Sequence, residues 1–126
     1  MIENFKEAFE KTRIAGKVAS GALDEVSKII KPGITTDQID KICYEFIKDN
    51  KAYSAPLFYR GFPRSCCTST NHVVCHGIPS EKILKEGDIV NVDVTAFKDG
   101  WHGDTSRMFK IGEISVKAEK LINATY

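Results

Sequence analysis

Residues 89–97 alternate in a way that only one kind of element accommodates. Val90, Val92, Val94 and Ala96 fall on one side, and Ile89, Asn91, Asp93 and Thr95 on the other. A period of two over this length is the pattern of a β-strand with one buried face. Asp93 lies on the side away from the aliphatic layer, inside a run of strong strand formers where aspartate is disfavoured. Eleven residues on stands a second aspartate, Asp104, beyond the segment Lys98-Asp99-Gly100-Trp101-His102-Gly103. The midpoint of the pair is the Lys98–Asp99 junction. A chain folding back there as an antiparallel hairpin sets the two carboxylates directly opposite each other, with Cβ atoms about 4.5–5.5 Å apart. Gly100 and Gly103 are the positions at which a bulge would shift that register. Carboxylates that close share a hard divalent cation, or repel one another without one.

The rest of the chain supplies helices and short strands. Residues 3–31 carry Phe5, Phe9, Ile14, Val18, Ala22, Val26, Ile29 and Ile30 at three- and four-residue steps, which predicts one long amphipathic helix ended by Pro32-Gly33. Gly16 and Gly21 inside it weaken the helix or allow close packing. Thr35 and Gln38 have capping-box spacing and open a second helix, with Ile39, Ile42, Cys43, Phe46 and Ile47 facing inward. The pattern then predicts a strand over Tyr53–Phe58, at an edge or bulge because of Pro56. A turn is expected at Arg60–Pro63, with short strands at Cys66–Thr70 and His72–His76 around Asn71. The return strand should run from Trp101 to about Ile111, and Ser115–Tyr126 begins another helix. These elements make an α+β chain.

With 18 basic and 17 acidic side chains the net charge is +1, and there is no basic run, so nothing points to nucleic acid or an anionic membrane. The N-terminal residues have no apolar core of signal-peptide length, and no segment approaches a membrane span. A cytoplasmic protein is the expectation. Cys43, Cys66, Cys67 and Cys75 are then expected to be reduced thiols. Adjacent cysteines followed by one eight residues on do not fit zinc-knuckle spacing. His76 reads either as a satisfied histidine or as a neutral donor to a leaving nitrogen or oxyanion. His72 and His102 read as surface residues.

Lys31-Pro32-Gly33, Asn71-His72-Val73-Val74-Cys75-His76-Gly77-Ile78-Pro79, Gly87–Thr95 and Asp99–Thr105 together resemble bacterial type I methionine aminopeptidase, in order along essentially the whole chain. The resemblance implies the first half of a pita-bread fold, a curved antiparallel sheet with helices on one face. It implies metal-dependent removal of the initiator methionine from nascent polypeptides, with two divalent cations (cobalt, manganese, iron or zinc) held by five side chains. Asp93 and Asp104 match two of those ligands. His76 matches a substrate-contacting histidine, and Tyr59, Phe62 and Cys67 match positions of the methionine pocket. Pro56 stands where that pocket often has cysteine, and Asn71 and Val73 match positions that help hold a monovalent cation in some relatives. The remaining ligands, one histidine and two glutamates including the general base, belong to the second half of such enzymes.

Residues 1–126 are therefore expected to be the N-terminal half of a catalytic domain, ending within a helix. This chain alone would hold no catalytic residue and would be inactive. An open sheet edge and an exposed apolar patch would favour self-association or pairing with a separate C-terminal half. The alternative is a non-catalytic pita-bread module that grips peptides or proteins, a reading that the two aspartates and His76 weigh against. A proline-specific relative fits less well, because such enzymes usually carry a separate N-terminal domain.

Overall fold

A computed structural model describes residues 2–126, with Met1 outside them. The elements in order are α1 (Ile2–Ile29), α2 (Thr36–Asp49), β1 (Tyr53–Ser54), β2 (Cys67–Thr70), β3 (Ile89–Lys98), β4 (Trp101–Lys110) and α3 (Val116–Thr125). β3 is the spine of a four-stranded antiparallel sheet. β1 and β2 pair with its two ends along one edge, and β4 pairs with its whole length along the other. The alternation in β3 holds from Val90 to Ala96, but Ile89, expected on the open face, is itself buried at the start of the strand. Val90, Val92, Val94 and Ala96 are fully buried against α1, while Asn91, Asp93 and Thr95 are half-open on the opposite side.

The hairpin register differs from the midpoint expectation. Lys98 pairs with Trp101, so the two-residue turn is Asp99-Gly100, with φ +50° and +86°. Positive φ at both positions marks a primed turn, whose twist matches that of the flanking strands and which Asp-Gly favours. Asp104 consequently faces Thr95, and Asp93 faces Ser106. The two aspartates share a face but sit diagonally, about 7–8 Å apart at the backbone rather than in direct opposition. The pairing is unbroken from Lys98–Trp101 to Ile89–Lys110, so neither glycine introduces a bulge.

α1 forms as the sequence predicts, but its buried stripe is Ala15, Val18, Ala19, Ala22, Leu23 and Val26. Phe5 and Phe9 are 73% and 57% exposed, and burial along the helix begins only at Ala15. Small residues face the sheet for a reason. A Cβ on Gly103 of β4 would overlap the backbone of Ala15 and Gly16. Gly21 does the same for the second helix, since a Cβ there would come within 2.7 Å of the Phe46 ring. The capping box of α2 is present: Thr35 Oγ1 accepts from Gln38 N–H (3.2 Å) and Gln38 Oε1 accepts from Thr35 N–H (2.8 Å).

Two predicted strands shrink. Only Tyr53–Ser54 pairs in β1, after which the chain turns through Pro56 into a short 3-10 segment, Tyr59–Gly61. Residues 72–76 form no strand; they belong to a loop that returns along the outer edge of β2. Asn71 and Asp88 tie the end of β2 to the start of β3. Asn71 Nδ2 donates to Asp88 Oδ1 (2.9 Å), and Ile89 N–H donates to Asn71 Oδ1 (3.1 Å). Burial raises the Asp88 carboxyl, but the bonds from Asn71 and from Lys85 N–H (2.9 Å) outweigh it and hold the group below its ordinary value. Ser115 caps α3, which has no buried residue and is tied to β4 by Lys110–Glu119.

Candidate functional site

The open face of the sheet collects residues of one parity: Asp93 and Thr95 from β3, Asp104 from β4, and Cys67, the pairing partner of Asp93, from β2. Above them lies an open cavity of about 730 Å³. All six residues singled out in the sequence line it: Tyr59, Phe62, Cys67, His76, Asp93 and Asp104. Tyr59, Phe62, Pro56 and Ile78 give it an apolar wall, and the aspartates and His76 give it a polar one.

Although diagonal, the two carboxyl groups influence each other electrostatically. Burial, then repulsion by Asp104 and a carboxyl–carboxyl hydrogen bond, raise Asp93 above the ordinary carboxylate value, while His76 pulls it down. Asp104 is oriented by Thr95, whose hydroxyl donates to Asp104 Oδ1 at 3.0 Å. Cys67 is buried, and burial with the nearby Asp93 and Cys75 pushes its thiol up to about 11. It is therefore neutral at physiological pH and behaves as a small apolar wall group.

His76 is placed by its backbone. It has φ +55°, a conformation costly for a residue with a Cβ. The next residue explains why it persists. Gly77 lies against β2, where its carbonyl accepts from Thr68 N–H (2.8 Å) and its N–H donates to Ser69 Oγ (3.1 Å). Any Cβ on Gly77 would run into the Thr68 carbonyl. The wall carrying Tyr59 and Phe62 is anchored by α2. Asp40 Oδ1 accepts from Ser65 N–H (2.8 Å), Ser65 Oγ (2.7 Å) and Cys66 N–H (3.0 Å), just before Cys67. Arg64 pairs with Asp37 at 3.0 Å.

Spacing alone did not find Asp40, which has no local signal, and it left His102 on the surface. His102 is exposed, but it lines the cavity two residues before Asp104 on the same face, its ring tilted against Phe97 with centroids 4.7 Å apart. Its parity with Asp104 was the available signal.

Among the described residues no cluster of three or more histidine, cysteine, aspartate or glutamate side chains is placed to hold a metal ion. Two crowded carboxylates, one destabilised in its charged form by the other, fit a divalent cation as part of a ligand set and not as a complete one.

The sequence matches Metallopeptidase family M24 over residues 10–126. It is 53% identical over 118 residues to a methionine aminopeptidase of Rickettsia prowazekii, covering 94% of this chain and 46% of that protein. The methionine aminopeptidase of Escherichia coli K12 is 49% identical over 121 residues, with the same coverage of 94% and 46%. The crystal structure of the R. prowazekii enzyme superposes with a TM-score of 0.94 at 52% identity, over 96% of this chain and 49% of that one. The methionine aminopeptidase of Thermotoga maritima gives 0.91 at 37% identity, over 94% and 48%. An Xaa-Pro dipeptidase of Bacillus anthracis shares the fold, with a TM-score of 0.79 at 22% identity. The chain spans about half the length of the curated relatives it matches. Its α+β architecture, a curved antiparallel sheet with helices on one face, is that of the first half of the pita-bread fold. By its sequence match and its backbone alike, this chain belongs to metallopeptidase family M24.

Proposed function

We propose that residues 1–126 form the N-terminal half of a cytoplasmic methionine aminopeptidase, which removes the initiator methionine from nascent polypeptides. The observation that carries this reading is the joining of an apolar wall (Tyr59, Phe62, Cys67) and a paired-carboxylate wall (Asp93, Asp104) in one cavity with His76. The apolar wall suits the unbranched, polarizable methionine side chain. His76, which lines the same cavity, would donate a hydrogen bond to the substrate near the scissile bond. Asp93 and Asp104 would supply two of the ligands to a pair of divalent ions (cobalt, manganese, iron or zinc), the other ligands and the general base coming from a C-terminal half. Such ions supply Lewis-acid polarisation of the peptide carbonyl and activation of water. The Thr95 hydroxyl, which donates to Asp104 Oδ1, would steady that carboxylate as a ligand.

The test is reconstitution. The 126-residue chain alone should release little methionine from Met-Ala-Ser, whereas the chain mixed with a separately expressed C-terminal half and Mn²⁺ should cleave it. Asp93→Asn in the mixture should lower the rate about 100-fold, because one of the anionic ligands would be lost. Cleavage at an ordinary enzymatic rate by the chain alone, or full activity of the Asp93→Asn mixture, would overturn the proposal. A module that only grips peptides would tolerate Asp93→Asn.

A further inference from the structure

The chain has four arginines, at 13, 60, 64 and 107. Three of them hold a carboxylate: Arg13 with Glu10 (2.8 Å), Arg64 with Asp37 (3.0 Å) and Arg107 with Asp24 (3.0 Å). Arg60 has no carboxylate among the described residues. It lies instead in the wall of the cavity, with its guanidinium 5.3 Å from the Tyr59 ring centroid. Stacking on an aromatic face limits where the group can go and leaves its edge donors available. Its backbone is also unusual. Arg60 has φ +48° and Phe58, two residues before it, has φ +67°, in a turn closed by Phe58 N–H donating to Phe62 O (2.8 Å). Left-handed backbone at two bulky residues is costly, and such geometry concentrates at ligand-binding positions. Of the residues lining the cavity, the side chains of fixed charge are Arg60, Asp93 and Asp104.

We infer that Arg60 is a specificity-determining residue that reads a carboxylate on the peptide beyond its N-terminal residue, so that acidic residues early in the sequence are preferred over basic ones. The inference rests on the peptide-binding reading above. With the first side chain on the apolar wall and the amine near the aspartates, the remaining peptide would leave past Arg60, which is exposed in the cavity wall. There a guanidinium attracts an acidic side chain and repels a basic one. Arg64, four residues on, cannot take this role, because Asp37 and the Pro63 carbonyl already engage it.

The test is equilibrium binding of C-terminally labelled Met-Ala-Glu-Ser and Met-Ala-Lys-Ser to the full chain, followed by fluorescence anisotropy. The acidic peptide should bind about two- to five-fold more tightly at low salt, as expected for a partly exposed ion pair, and the ratio should fall toward one in 0.5 M NaCl. Arg60→Gln should abolish the ratio, Arg60→Glu should invert it, and Arg60→Lys should keep most of it. Circular dichroism of each variant checks the fold. A ratio near one in the unaltered chain, or an unchanged ratio in Arg60→Gln, overturns the assignment. Acetyl-Met-Ala-Glu-Ser and Ser-Ala-Glu-Ser separate the two readings. If they bind as well as Met-Ala-Glu-Ser while the charge ratio persists, the methionine reading falls and Arg60 keeps its role. If no peptide binds, the Arg60 assignment falls, while the methionine reading is decided by the reconstitution.

Discussion

On one face of β3, four aliphatic side chains are sealed under α1; on the other, Asp93 and Thr95 stay half-open beneath a cavity. The same strand supplies both, so the difference lies in what each side chain meets. The aliphatic face is packed closely enough that Gly103 touches helix backbone, and each element of the sequence agrees with its neighbours. The open face holds like charges together, a thiol kept neutral by burial, and left-handed backbone at Phe58, Arg60 and His76. Stability is concentrated on one surface of a two-residue-period strand, and local conflict on the other. Such conflict is what a binding surface retains when its partners are charged or apolar ligands.

The largest expected break of this contrast is on the packed side. Gly103→Ala should destabilise the chain by about 3 kcal/mol, since the added methyl meets main chain that cannot yield; urea denaturation followed by circular dichroism measures it. A loss under about 1 kcal/mol would mean that α1 floats on the sheet. The open side should respond with the opposite sign. Asp93→Asn removes a destabilised charge, and the metal-free chain should melt roughly 2–4 °C higher at pH 7, while Mn²⁺ binding by the mixture with a C-terminal half, followed by calorimetry, should weaken. A lower melting temperature would show that Asp104 does not strain Asp93.

The smallest effect is at the seam between the two faces. The Asp88 carboxyl is held below its ordinary value, so its contribution is present above the unfolded value of about 3.9 and is lost as pH falls through the folded one. Asp88→Asn should flatten the acid side of the stability profile by less than about 0.5 kcal/mol after solvent screening. A profile unchanged below pH 4 would remove Asp88 from that account.

The strand at 89–97 and its two faces were legible because alternation needs only a strand and a core. The hairpin register was not, because the midpoint between two aspartates carries no energy. The turn chemistry of Asp99-Gly100 carries it and displaces the pairing by two positions. The period of α1 was legible, but how much of it finds a partner depends on the elements packed against it, and Phe5 and Phe9 stay exposed. The apolar run 72–76 looked like a strand, and only the contact of Gly77 with Thr68 makes it a loop. Asp93 and Asp104 were found by spacing, while Tyr59, Phe62, Cys67 and His76 were suggested by resemblance to a known family. The clamp from Asp40 spans 25 residues and leaves no local trace.

Gly77 owns no functional group, yet it decides where an imidazole stands. A survey of reactive side chains is blind to it, and a survey of buried cores would overlook it as well, since the loop around it is largely exposed. Aiming information is thus written in the one residue type that has nothing to aim. A variant there would shift the histidine while leaving the identity of every visible chemical group in the cavity unchanged.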